Sequence, residues 1–300
     1  MDKEEFKDKL EKTGLGKYFD KLSPLLRNTI RLYQQSTDED NIAIGQTKIG
    51  GRPDLPKEII WAYEINNVEI TEKKFLIFNS KKEEIITKPL SFIAQINLSE
   101  TAPFDIKGLL PKTGLLYFFY SAEQEAWGFQ DKDKNKFKVI YWNGDHSELK
   151  RTDFPVNLPE YSCYKPCSVS IKSEISVPSY MYPIYKEFAD GEDDIFWEEV
   201  YNDGNLNKLL GYSDNIQGDM ELECELVTNG LYCGDPSGYN DPKAKTLEPN
   251  AKNWRLLLQI DSNDENEMMW GDVGRLYFWI KKDDLLKRQF DKCWFSLQCS

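Results

Sequence analysis

Three blocks of the chain occur twice, in the same order and at nearly constant spacing. Such self-similarity indicates two copies of one supersecondary unit, and two copies are too few for a solenoid. The spacing between partners is 161, 164 and 160 residues. The three pairs are GGRPDLP at Gly50 with GYSDNIQ at Gly211, SFIAQIN at Ser91 with RLLLQID at Arg255, and GLLYFFY at Gly114 with GRLYFWI at Gly274.

The repeated blocks are rich in apolar and aromatic residues and are separated by stretches of Gly, Pro, Asn, Asp and Lys, which is typical of β-strands joined by turns. We therefore predict an α+β fold that is mainly antiparallel β, with short N-terminal helices and two internal β-rich repeats related by a pseudo-twofold axis. The predicted strands of the first half are residues 42–49, 74–78, 90–98, 115–120, 127–130 and 137–142.

Helical spacing of apolar residues up to Tyr33 predicts two or three short helices at the start of the chain. We accordingly divide the chain into an N-terminal helical segment at 1–40 and a body at 41–300. The body holds repeat 1 at about 42–150 and repeat 2 at about 200–298. We expect one compact unit, in which residues 154–183 cross between the halves.

Two local features refine this prediction. Acidic residues followed by apolar ones predict a helix at 193–202, which ends near Gly204. The polar segment 131–135 predicts the turn of a hairpin between the strands at 127–130 and 137–142.

Charge and composition exclude several classes of protein. The net charge of −13 and the absence of a Lys/Arg run argue against nucleic-acid binding. The longest strongly apolar run, 115–120, is far shorter than the roughly 20 residues of a membrane-spanning helix, and the mixed-charge N-terminus is unlike a signal peptide. We therefore predict a cytoplasmic protein with no membrane association, and we expect a monomer.

The six cysteines in 300 residues are expected to stay reduced in the cytoplasm.

The motifs resemble those of the YwqG-like family of bacterial proteins, a family of unknown function. The resemblance spans about residues 48–298, although Ala62 and Ser213 stand where the family often has Pro. It implies a mixed α+β fold with much antiparallel sheet and an internal repeat, and it implies no reaction. The segments that carry it are GGRPDLP with Trp61 following, PLSFIAQINL, LPKTGLLYFF, LLGYSDNIQGDME, NWRLLLQIDS and MMWGDVGRLYFWI.

Recognised catalytic and metal-binding patterns are missing from the sequence. The chain has one histidine, His146, and no G-x-S-x-G motif, so we interpret His146 as a residue of a surface turn or helix start. The cysteines lack the C-x-x-C spacing of zinc sites, so we interpret them as small buried apolar residues. We predict no cofactor and no metal, and we favour a protein without enzymatic activity while leaving that question open.

Polar residues inside apolar or Gly-rich blocks are the candidate ligand-binding residues. Gln95 and Gln259 interrupt predicted core strands, and we favour symmetric structural hydrogen bonding between the halves over ligand binding. Trp270 and Asp272 are interpreted first as a core plug and a turn residue, ahead of a role in recognition. The full candidate set is Arg52, Asp54, Gln95, Gln217, Gln259, Trp270 and Asp272.

Two functions of different classes remain open. The acidic, aromatic-rich composition favours a non-catalytic module that binds a basic protein partner, and the YwqG-like resemblance implies an immunity-like role as one version. The alternative is a small-molecule-binding protein or a carboxylate-dependent enzyme with its site between the two repeats, using Asp54 and Asp272.

Overall fold

A computed structural model describes the backbone of residues 1–74, 78–201 and 204–300, and the side chains of these residues outside 66–85. The strands are β1 Arg27–Ser36, β2 Lys48–Ile49, β3 Asp54–Leu55, β4 Tyr63–Lys74, β5 Phe78–Asn97, β6 Leu115–Ser121, β7 Phe137–Trp142, β8 Lys150–Arg151, β9 Cys167–Ser176, β10 Lys208–Leu209, β11 Trp254–Asp261, β12 Arg275–Lys281 and β13 Trp294–Gln298.

The helices are short and lie between the strands. The α-helices are α1 Lys3–Lys12, α2 Phe19–Leu22, α3 Leu98–Thr101, α4 Glu192–Ile195, α5 Met220–Val227, α6 Ser237–Asn240, α7 Ala244–Leu247 and α8 Lys282–Leu286, and Phe196–Val200 forms a π-helix. The 3-10 helices are Gly16–Tyr18, Ser23–Leu25, Glu39–Asn41, Ala102–Phe104, Asp131–Asn135, His146–Glu148, Glu160–Ser162, Pro183–Glu187, Glu248–Asn253 and Phe290–Lys292. Among the helices of the described residues, none combines the length and apolar character that crossing a membrane requires.

One antiparallel sheet organises the chain. Its strand order is β13-β12-β11-β10-β1-β9-β2-β5-β6-β7, and β4 also pairs with β5. A separate two-stranded sheet joins β3 to β8. The predicted α+β class with mainly antiparallel strands is therefore confirmed.

The two halves of the chain exchange their first strands. Strand β1 precedes the strands of the first half but pairs with β10 of the second, and β9 precedes the second half but pairs with β2 of the first. Between them, β1 and β9 pair along their whole length, from Arg27 opposite Ser176 to Ser36 opposite Cys167. The segment 154–183 is thus more than a crossover, because it supplies a central strand.

The outer strands of each half pack their inner faces together. Phe118 of β6 and Phe278 of β12 lie with ring centroids 5.0 Å apart, and Phe137 of β7 and Phe295 of β13 lie 4.8 Å apart. These aromatic contacts belong to one core cluster that draws on both halves of the sheet. The two halves therefore share a buried apolar core.

Strand β6 shows why its sequence is continuously apolar. Leu116, Phe118 and Tyr120 enter the core between the halves, while the alternate residues enter a second core beneath β3 and β5. A strand covered on both faces has no solvent-facing position, so it lacks the usual alternation.

The N-terminal helices pack on a third cluster. Phe6 and Leu10 of α1 are fully buried against Phe196 and Val200 of the π-helix, together with Tyr185. Asp2 caps α1 by accepting hydrogen bonds from the backbone N–H groups of the first turn. This cluster joins the N-terminal helices to the segment 177–201.

The helical interpretation of residues after Leu25 is wrong. Leu26, Ile30 and Tyr33 have helical spacing, but residues 27–36 form β1 in the middle of the sheet. Long-range pairing with β9 overrides the local pattern. The predicted helix at 193–202 is confirmed as α4 and the π-helix up to Val200, and residue 202 lies outside the described residues.

Several predicted strands are shorter or absent. Only Lys48–Ile49 of the segment 42–49 is a strand, and the segment 74–78 lies partly outside the described residues. Residues 127–130 form no strand, and Asp131–Asn135 is a 3-10 helix, so the predicted hairpin is wrong. Strands at 90–98, 115–120 and 137–142 are confirmed within β5, β6 and β7 apart from Leu98, which begins α3.

Helix α5 covers the outer strands of the second half through its acidic residues. Glu225 accepts a hydrogen bond from Trp254 Nε1 at 2.9 Å and pairs with Lys281 at 2.7 Å. Glu223 accepts from Ser296 Oγ at 3.1 Å. Burial raises the pKa of Glu223 to about 7, against the hydrogen bonds from Ser296 and Tyr239.

We expect Glu223 to make the protein more stable at mildly acidic pH. The folded state holds this proton more tightly than the unfolded chain, so the stabilisation is complete below the unfolded pKa near 4.5 and is lost as the pH rises through about 7. Urea denaturation from pH 5 to 8.5 should show Glu223→Gln removing about 3 kcal/mol of this pH dependence. The exposed Glu148→Gln serves as control, and equal slopes in both variants would contradict the assignment.

Candidate functional site

A buried cluster of charged and amide groups lies where β2, β3 and β5 meet. Gln95 donates through Nε2 to Oδ2 of Asp54 at 2.9 Å, and its Oε1 accepts from the Asp54 backbone N–H at 2.8 Å. Lys48 Nζ lies 3.4 Å from Asp54 Oδ1. All three side chains are fully buried, and Asp54 is the partner of both the amide and the ammonium group.

A tight turn brings Asp54 beneath Lys48. Gly50 and Gly51 follow β2 with φ of 68° and 69°, in the left-handed region that glycine adopts without strain. A Cβ at Gly50 would lie 2.2 Å from the carbonyl oxygen of Lys165. The close approach of these two backbone segments therefore requires glycine at that position.

The same contacts recur in the second half. Gln259 Nε2 donates to Oδ2 of Asp214 at 2.7 Å, and the Asp214 N–H donates to Gln259 Oε1 at 2.9 Å. Lys208 Nζ lies 2.6 Å from the same Oδ2. Tyr277 donates its hydroxyl to the Asp214 backbone oxygen at 2.7 Å, as Tyr117 does to the oxygen of Asp54 at 2.7 Å.

These contacts correct the sequence comparison in two respects. They match Gly51 with Gly211 and Asp54 with Asp214, so the alignment of Gly50 with Gly211 is off by one residue. Each glutamine also bonds within its own half, so the expectation of hydrogen bonding between the halves is wrong.

Lys48, Lys208 and Asp214 are not among the residues predicted for the site. A signal was present, because both lysines and both aspartates are separated by 160 residues, the same offset as the GLLYFFY block.

In the first half, Arg151 covers Asp54. Its Nε donates to Asp54 Oδ1 at 2.6 Å, and its terminal nitrogens donate to the backbone oxygens of Glu39 and Ile42 at 2.8 and 2.9 Å. Burial opposes ionisation of Asp54, but Arg151, Lys48 and Gln95 lower its pKa overall. Burial lowers the pKa of Lys48 to about 8, against the charge of Asp54.

In the second half, Asp214 borders a cavity. Among the described residues, none donates a hydrogen bond to Asp214 Oδ1, and the side chain is 17% exposed, against 0% for Asp54. No strand pairs with residues 214–215 in the described chain as β8 pairs with β3. The cavity has a volume of about 370 Å³, and its walls include Ser179, Tyr180, Trp197, Tyr201, Asp214 and Arg275.

The charged groups around the cavity are held in place. Arg275 pairs through Nε with Asp261 Oδ1 at 2.7 Å and donates from a terminal nitrogen to the Asp214 backbone oxygen at 2.8 Å. Burial opposes ionisation of Asp214, but the charges of Lys208 and Arg31 and the amide of Gln259 lower its pKa. The cavity therefore presents an ionised carboxylate.

The aromatic wall comes from the segment 177–201, which the sequence indicated only as part of a crossover and a helix. The rings of Trp197 and Tyr201 meet edge to face at 5.9 Å, and Trp197 also packs on Tyr185 at 5.2 Å. Tyr180 is 51% exposed and donates its hydroxyl to the Gln217 backbone oxygen at 3.1 Å.

The remaining predicted site residues lie elsewhere. Arg52 is a surface residue that pairs with Glu39 and Asp153, both at about 2.6 to 2.7 Å. Gln217 is exposed and donates to the Cys299 backbone oxygen at 2.9 Å. These contacts tie neighbouring loops together.

Trp270 and Asp272 differ in their burial and contacts. Trp270 is fully buried and packs edge to face on Tyr120 and Tyr164. Asp272 is exposed, and its backbone oxygen accepts from Ser300 N–H. Asp54 is fully buried and bonded to Arg151 and Gln95, whereas Asp272 is exposed.

The histidine and the cysteines lie as follows. His146 begins a 3-10 helix that Asp145 caps, as predicted. All six cysteines are free thiols. Within the described ranges, no three His, Cys, Asp or Glu side chains are grouped so that they would hold a metal ion.

We expect Arg151→Ala to lower the free energy of unfolding by about 3 kcal/mol or more, because it leaves the carboxylate of Asp54 buried without its main partner. Arg52→Ala, at a guanidinium that is 33% exposed, should cost about 1 kcal/mol or less. Urea denaturation compares the two. The double variant Arg151→Ala with Asp54→Asn should recover part of the loss, and no recovery would contradict the pairing.

The chain is similar to one described protein family over most of its length. Curated proteins give no match to the chain. The sequence profile of a family described as Domain of unknown function (DUF1963) matches residues 47–299, which include both Lys–Asp–Gln clusters, Arg151 and the residues of the cavity. Because the match spans well over half of its length, the chain belongs to the DUF1963 family.

Proposed function

We propose that the protein binds a small molecule in the cavity beside Asp214. One observation carries this proposal: the chain builds the same Lys–Asp–Gln contacts twice, covers the carboxylate with Arg151 in the first half, and leaves it beside a cavity in the second. The difference in exposure between Asp54 and Asp214 is what a structural cluster adapted for binding would show.

The size and lining of the cavity support binding. Its volume of about 370 Å³ falls in the range of small-molecule sites, which are mostly apolar with a few fixed polar groups. Trp197 and Tyr201 supply the apolar surface, and Asp214 and Arg275 supply the polar groups. The partners of both charged residues hold their orientation before a ligand arrives.

The chemistry of the lining favours binding over catalysis. A general acid or base works best with a pKa near the working pH, whereas the pKa of Asp214 is lowered. The described lining contains no histidine or cysteine. We therefore propose a binding protein without enzymatic activity, and the cytoplasmic location and monomeric state predicted from the sequence stay part of this proposal.

A screen of small molecules tests the cavity directly. We expect ligand-observed NMR with soluble compounds of positive, neutral and negative charge to find binders. Asn215→Trp, which places a large ring in the cavity, should weaken them about tenfold or more. Asn157→Trp, at a separate hollow, is the matched control. Binders that ignore Asn215→Trp, or a screen without any binder, would contradict the proposal.

A second candidate function is binding of a basic protein partner. The segment 187–199 carries seven acidic residues and no basic one, and six of the seven are exposed, which concentrates negative charge next to the cavity wall. Such a patch would steer a basic partner. The immunity-like version of this role, and the YwqG-like name itself, rest on the motif resemblance alone.

Matched charge reversals test this second function. We expect the triple variant Asp190→Lys, Asp193→Lys and Glu198→Lys to lose a partner captured from host lysate at low salt, with the captured protein identified by mass spectrometry. The control triple Glu125→Lys, Glu148→Lys and Glu160→Lys changes the net charge equally at other exposed sites. Equal loss in both triples, or capture that is indifferent to added salt, would rule out a specific acidic site.

A further inference from the structure

The first half shows which chemical group the cluster accepts. There Oδ1 of the aspartate accepts from the guanidinium of Arg151 at 2.6 Å and lies 3.4 Å from Lys48 Nζ, while Oδ2 is occupied by Gln95 and the backbone N–H of Gly45. In the second half Oδ2 is likewise occupied, by Gln259 and Lys208. The oxygen left over in the second half is therefore the one that binds a guanidinium in the first.

We propose that the cavity beside Asp214 binds a guanidinium group of a ligand, in the position that Arg151 occupies beside Asp54. This inference rests on the proposed function and names the ligand class. The ligand is a free guanidino compound or an arginine side chain, since both present the same planar group.

The cavity offers what a guanidinium requires. The group carries five N–H donors in a rigid plane, and a carboxylate is its best acceptor. Ser179 and Tyr180 donate their hydroxyl hydrogens to Asp219 and to the Gln217 backbone oxygen, so their own oxygens remain able to accept. These acceptors take the role that the Glu39 and Ile42 backbone oxygens play for Arg151.

The aromatic wall favours a planar cation. Guanidinium groups stack on Trp and Tyr rings and are more weakly hydrated than ammonium groups, so they lose less on entering a partly apolar site. Trp197 and Tyr201 line the cavity on the side formed by the segment 177–201. Repulsion from Arg275 is limited, because its guanidinium pairs with Asp261 at 2.7 Å.

Three matched probes test the ligand class. Isothermal titration calorimetry uses Nα-acetyl-L-arginine amide, its neutral isostere Nα-acetyl-L-citrulline amide, and Nα-acetyl-L-lysine amide. We expect the arginine probe to bind. The affinity of the citrulline probe should be lower by a factor of about ten or more, because the neutral citrulline side chain cannot form the charge-assisted bond. The lysine probe should also be weaker, because an ammonium lacks the planar fork.

Substitutions test whether the arginine probe binds in the cavity. Asp214→Asn should weaken the arginine probe about tenfold or more. Tyr180→Ala should also weaken binding of the arginine probe. Because the Tyr180 side chain is half exposed, this variant should disturb the fold less than Asp214→Asn does. Asp272→Asn, an exposed carboxylate outside the cavity, should leave the affinity unchanged. Methylguanidine and free L-arginine as competitors distinguish a free guanidino compound from a peptide side chain.

The outcomes separate this inference from the proposed function. If compounds from the NMR screen bind in the cavity while the arginine and citrulline probes bind equally or not at all, the guanidinium assignment is overturned and cavity binding stands. If nothing binds in the cavity, both fail. Arginine binding that survives Asp214→Asn and Tyr180→Ala would also overturn the assignment.

Discussion

The rest of the structure depends on the pairing of β1 with β9. These ten-residue strands run antiparallel through the centre of the sheet, and each also pairs with a short strand of the other half. Thr29 on β1 donates to the backbone oxygens of Leu209 and Leu210, and Ser176 on β9 accepts from the Tyr212 N–H. The turn that carries Asp214 is therefore anchored on strands from both ends of the exchange.

Buried charge is the cost of the two clusters. Lys48 and Lys208 are both fully buried, and an ammonium group without a partner would be strongly destabilising in that position. Each is offset by an aspartate and by the amide that orients it. Such clusters add little net stability compared with apolar packing, but they impose one geometry, because any other arrangement leaves a charge unpaired.

The sequence predicts the architecture better than the site. Residues 115–120 are recognisable as a strand because covering both faces makes the run continuously apolar, whereas Leu26, Ile30 and Tyr33 mimic a helix because partner strands far along the chain determine their conformation. Gln95 and Gln259 stand out as amides among apolar residues. Lys48, Lys208 and Asp214 do not, because charged residues in two-residue strands or in the loops after them have the sequence character of ordinary turns until their partners are known.

The exchange of first strands bears on the ancestry of the chain. In a single unit built in this way, the first strand would have no partner strand within the same copy. Two separate copies would pair both first strands by associating as a twofold symmetric dimer. If the two halves descend from such a unit, the ancestor carried two identical clusters related by symmetry, which had to change together. Fusion into one chain released that constraint, so that Arg151 could close one cluster while the other stayed open.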